Sequence, residues 1–180
     1  MSDAVAGEAI DFDPLALRML AWGCLWSPLA TEDEHRRAWA VLELPDRFDD
    51  LRLAYWNTFH AGSPQPPVPL LLHALLAREG AAAREDLMRA ADFLGLEWGD
   101  RRLAPDHLGP ACEVFGLAIE RQETALVHGL RERYLRPWTE RAASALGEQS
   151  ALLALLGRFA ADLESASAAH APGNGRPESP

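Results

Sequence analysis

β-branched residues are nearly missing from this chain: two Ile, five Val and four Thr make eleven of 180 residues. Strands draw on such residues because a branched side chain suits a pleated sheet, whereas Ala and Leu, which carry the apolar content here, are strong helix formers. The chain is therefore expected to be all-α. Its length suits one domain with an ample core, and 48% hydrophobic against 24% charged residues excludes wholesale disorder.

Punctuation residues divide the sequence into seven to nine helices packed as a single compact bundle. Asp13-Pro14 reads as an N-cap followed by proline at the first helical position, opening a helix to about Ser27 with Met19, Trp22 and Trp26 on one face. Thr31-Glu32-Asp33-Glu34 reads as a capping box for a second helix, ending near Glu43, and Asp46 is expected to start a third. Prolines at 64, 66, 67 and 69 forbid helix and predict an extended connection. Helices are expected at 70–78 and 82–94, with Gly80 capping the first and Gly95 ending the second. A long helical region follows over about 106–133, interrupted or bent at Gly109-Pro110, then one from near Pro137 to Gly147 and a last one over about 148–165. The domain is thus expected at 14–166, between a flexible stretch at 1–13 and a disordered tail at 167–180.

The net charge is −10 and the pI about 5.0. That field repels phosphate, so a nucleic-acid partner is not expected, and it attracts basic peptide segments. Cys24 and Cys112 are far apart in apolar surroundings, which fits neither a disulfide framework nor a zinc site. The acidic N-terminus lacks the blocks of a secretory signal, and the longest nearly uncharged run is too short to span a bilayer; the expected location is the cytoplasm. No His-x-x-x-His pair, phosphate-binding loop or nucleophile elbow is present, so neither a catalytic activity nor a metal or other cofactor is expected.

Two segments stand out. In Leu103-Ala-Pro-Asp-His-Leu108, Asp106 either caps a helix or stands with His107 at the lip of a groove, where a carboxylate and an imidazole meet an arginine-bearing peptide. Spacing leaves both readings open. In the aromatic set Tyr55, Trp56 and Phe59, the adjacent Tyr55 and Trp56 point about 100° apart on a helix, so one of them is expected at the surface. Leu135-Arg-Pro-Trp138 reads as a helix start with a buried tryptophan, and Arg131, Arg133, Arg136 and Arg141 as a solvated face paired with Glu132 and Glu140.

The order of these segments resembles the TorD-like molybdoenzyme-maturation chaperones, the group that includes DmsD and NarJ. The resemblance rests on Pro105-Asp106-His107-Leu108 opening a helix, on Leu135-Arg-Pro-Trp138 some way downstream, and on Leu53-Ala-Tyr-Trp-Asn-Thr-Phe59 leading into a Gly/Pro-rich loop. The sequence departs from that pattern at Ala104, Ala111 and Tyr134. The resemblance implies an all-helical chaperone without catalytic activity. It would bind the apo catalytic subunit of a molybdopterin oxidoreductase, or its twin-arginine leader, until cofactor insertion is complete. It also implies a peptide site at Asp106 and His107, with Pro105, Trp56, Phe59 and Tyr55 around it. The alternative class is a helical adaptor binding an amphipathic segment of another protein. The proline-rich hinge is compatible with a monomer or with a dimer that exchanges helices.

Overall fold

Asp13 and Thr31 act as the sequence predicts. The Asp13 carboxylate accepts from the Leu15 and Ala16 N–H groups, and Thr31 and Glu34 form the reciprocal capping box. The computed structural model describes residues 12–99 and 102–170. Among these the elements are α1 (Pro14–Trp26), α2 (Glu32–Val41), α3 (Phe48–Phe59), α4 (Leu72–Leu76), α5 (Gly80–Phe93), α6 (Leu108–Glu120), α7 (Thr124–Leu130), a π-helical turn (Arg131–Leu135), α8 (Arg136–Leu146) and α9 (Leu153–Ala169), with no strand. The all-α bundle is thus as expected, and no described helix is long and apolar enough to cross a membrane.

Several boundaries differ from the sequence reading, each for a local reason. Gly80 does not cap α4. Ala77 takes the left-handed conformation there (φ 52°), and Gly80 instead begins α5, whose N-cap is Glu79. Asp46 is also left-handed (φ 61°), so α3 starts two residues later. Gly109-Pro110 does not bend α6, because a proline in the first turn removes an N–H that has no intrahelical partner anyway. The break falls at 121–123 instead, where Gln122 has φ 56°. Phe12 and Asp13, expected within the flexible start, are part of the fold: the Asp13 N–H donates to Glu120 at 2.8 Å. At the other end α9 continues to Ala169, past the expected tail boundary; 1–11 and 171–180 lie outside the described residues.

Leu135-Arg-Pro-Trp138 is not a fresh helix start. α7, the π turn and α8 form one continuous run, and Pro137 sits inside it. Proline cannot donate to the carbonyl four residues back and its ring crowds that carbonyl, so a wider turn just upstream relieves both problems. The Arg136 N–H accordingly reaches back five residues, to Arg131.

α1 lies at the centre against α6, α2 and α9. Two glycines set its approach to α6. A Cβ on Gly23 would stand 3.1 Å from the Gly109 carbonyl, and one on Gly116 would stand 3.0 Å from the Ala16 carbonyl. Trp26 is the hub of the core, stacked on Trp22 and in edge contact with Phe59, Trp138 and Phe159 at 5.2–5.7 Å. Asp162 on α9 is buried, accepting from the Trp22 indole at 2.8 Å and from Arg18 through two parallel bonds; Arg18 also closes the end of α2 by donating to the Val41 and Leu42 carbonyls. Arg131, expected on a solvated face, is buried beside Glu132 and Glu164, while Arg136 pairs with Glu132 and Glu140 as predicted.

Candidate functional site

α3 divides its aromatic residues between inside and outside. Tyr55 and Phe59, four residues apart, face the core, whereas Trp56 remains 40% exposed. The Trp56 indole stacks on His60 one turn later, with ring centres 4.5 Å apart. The Tyr55 hydroxyl donates to the Leu25 carbonyl at the end of α1, and His60 Nε2 lies 3.1 Å from the same hydroxyl oxygen. Because the hydroxyl proton is committed to Leu25, Nε2–H of a neutral His60 must be the donor. Burial, followed by the charges of His107 and His35, lowers the His60 pKa to about 4.

The second half of the site comes from a pairing of the segments before α4 and α6. Leu71 and His107 form an isolated antiparallel bridge, flanked by bonds from the Leu72 N–H to the Asp106 carbonyl and from the Leu108 N–H to the Leu70 carbonyl, both 2.8 Å. Side chains alternate in such a pairing, so Leu71 and His107 share one face and Asp106 takes the other. His107 is the N-cap of α6; its Nδ1 accepts from the Gly109 N–H at 3.1 Å, and burial lowers its pKa to about 4 despite the opposing charge of Asp106.

Together these segments enclose a concavity of about 280 Å³ whose walls include Trp56, Phe59, His60, Pro69, Leu71 and His107. No charged side chain lines it. On its other side Trp56 borders a second hollow of about 240 Å³, with His35 and Phe48 inside and the Glu32–Arg52 ion pair at the lip. The surface around Trp56 can therefore cover apolar side chains while charged groups stay at the margin.

Of the residues singled out in the sequence, the structure brings Trp56, Phe59 and His107 into one groove. Tyr55 lies beneath it, wholly buried, and Pro105 sits half-buried in the turn that leads into the bridge. Asp106 is 0% exposed and points away from the groove; its carboxylate accepts from His73 Nδ1 and from Arg84 Nε, the latter at 3.1 Å. It is not the helix cap either, since His107 fills that position. The sequence reading missed His60, Leu71, His73 and Arg84. His60 was within reach of it, being four residues after Trp56 and so on the same helix face. Among the described residues no group of three or more His, Cys, Asp or Glu is placed to hold a metal ion, and both cysteines are free.

No family model matches the chain, and neither does any curated protein. The fold superimposes on a crystal structure from Archaeoglobus fulgidus described as "a putative redox enzyme maturation protein", with a TM-score of 0.59 and 20% identity over 87% of this chain and 99% of the other. The chain therefore shares the helical fold of that maturation protein.

Proposed function

We propose that this protein is a maturation chaperone for a molybdopterin oxidoreductase, holding the apo catalytic subunit, through its twin-arginine leader, until the cofactor is in place. The observation that carries the reading is the groove itself. Helix α3 and the distant entry to α6 bring Trp56, Phe59 and His107 to one uncharged concavity, on a protein of net charge −10. An apolar segment preceded by arginines suits both properties: the apolar part fills the groove and the arginines are drawn by the surrounding field. The shared fold with a redox enzyme maturation protein supports the same reading, as does the order of motifs noted in the sequence. Apolar walls of this kind suit a bound segment, and the role proposed is one of binding.

Titration calorimetry with a synthetic leader peptide, carrying an Arg-Arg pair ahead of an apolar run, tests this. Binding is expected for the wild type, with loss when the apolar run is replaced by Ser and Gly. A wild-type protein that binds neither this peptide nor a molybdopterin oxidoreductase subunit in its native lysate overturns the proposal.

A further inference from the structure

On the reading that the groove receives a client segment, we infer that His73, Arg84 and Asp106 form a positioning device for the groove wall, acting from the face the client does not touch. Asp106 joins the two sides of the Leu71–His107 bridge. Its main-chain carbonyl accepts from Leu72, next to Leu71, and its own peptide continues into His107. Its side chain leaves from the back of the bridge and is fully buried there. A carboxylate removed from water needs both oxygens engaged, and each is: Oδ2 by His73 Nδ1 on α4, Oδ1 by Arg84 Nε on α5. One carboxylate thus ties α4, α5 and the entry to α6 together, and the two side chains it sets in place on the front, Leu71 and His107, line the groove.

The surroundings make this a fixed arrangement rather than an incidental ion pair. A Cβ on Gly80 would stand 3.3 Å from the His73 ring, so the start of α5 packs directly on the imidazole. Arg141 of α8 donates to the Leu75 carbonyl at 2.9 Å and holds the other end of α4. Arg84, by contrast, is nearly half exposed and is engaged through Nε. It is the one member that can be changed without opening the core.

Amide hydrogen exchange, followed by NMR on the full chain, reads the bridge directly at the Leu72 and Leu108 N–H groups. In Arg84→Gln these two amides are expected to exchange on the order of tenfold faster, while those of Phe159 and Leu163 on α9 keep their wild-type rates. Arg84→Lys, which keeps the cation, is expected to restore most of the protection. Affinity for the leader peptide should fall in Arg84→Gln by a similar factor. Wild-type exchange at Leu72 and Leu108 in Arg84→Gln overturns the inference, as does faster exchange with undiminished affinity. Faster exchange in a protein whose wild type binds neither the leader peptide nor a molybdopterin oxidoreductase subunit upholds the positioning device and overturns the proposed function alone.

Discussion

The Trp138 indole N–H donates to the Pro69 carbonyl across 3.0 Å, so a ring buried in the core holds the last residue of the proline-rich segment in place. Pro69 and the two residues after it line the groove. Trp138→Phe keeps most of the apolar area and removes the donor, leaving a buried carbonyl without its partner. The expected loss is about 1–3 kcal/mol, read as a lower denaturant midpoint with an unchanged slope.

Trp56 should behave in the opposite way. It is 40% exposed and rests on His60 rather than in the core. Trp56→Ala is expected to change unfolding free energy by less than about 1 kcal/mol. It should nevertheless cost about 2 kcal/mol or more in leader-peptide affinity, as a tryptophan bordering two hollows is the kind of residue that dominates an interface. Calorimetry and chemical denaturation on the same sample separate the two effects.

His60 and His107 make stability depend on pH. Burial holds both near 4 in the folded protein, against an ordinary value of 6.5. Between those values the unfolded chain takes up protons that the native state refuses, so stability is intact above about 6.5 and falls as the pH drops toward 4. The slope contributed is at most roughly 1.4 kcal/mol per histidine per pH unit. His60→Gln retains a donor for the Tyr55 hydroxyl without titrating. Urea unfolding across this range should therefore show a shallower slope in that variant.

Asp162 offers a test of the core network. Its removal leaves the Trp22 N–H without an acceptor and Arg18, mostly buried, without its carboxylate. Asp162→Ala is expected to destabilise by about 3–5 kcal/mol, and Asp162→Asn by less, because an amide oxygen still serves the indole. Thermal unfolding of the pair of variants ranks them.

The contact between α1 and α6 leaves no room for a methyl group at Gly116, where the Ala16 carbonyl and the Met19 Cβ both stand 3.0 Å from the position it would take. Gly116→Ala gains helix propensity but forces the helices apart, for an expected net loss of about 1–3 kcal/mol. Chemical denaturation gives the sign directly.

The helices were legible in the sequence wherever one residue type has one physical use. Asp13 and Thr31 cap, Gly95 and Gly147 close, and the four prolines between 64 and 69 exclude helix, all through chemistry local to the residue. That Tyr55 and Trp56 part company followed from helix geometry alone, although not which of them faces out. What escaped depends on partners far away in sequence. The direction of the Asp106 side chain is set by its pairing with Leu71 and Leu72, more than thirty residues upstream, and nothing within Leu103–Leu108 records that pairing. Arg131 looks like any surface arginine until Glu164, on α9, comes to meet it.

The π turn before Pro137 has a consequence for the spacing of the residues around it. Buried positions from α7 through α8 recur every four residues: Val127, Arg131, Leu135 and Thr139 in one row, Leu130, Tyr134, Trp138 and Ala142 in the next. On an ordinary α-helix such rows drift by about 40° at each step and would wind away from the core within a few turns. The wide turn at 131–135 unwinds the helix where that drift accumulates, so Val127 and Thr139, three steps apart in one row, can both face inward. The number of residues in this stretch is therefore as constrained as their identity: losing one would swing the Trp138 ring off its bearing and release the proline segment it holds.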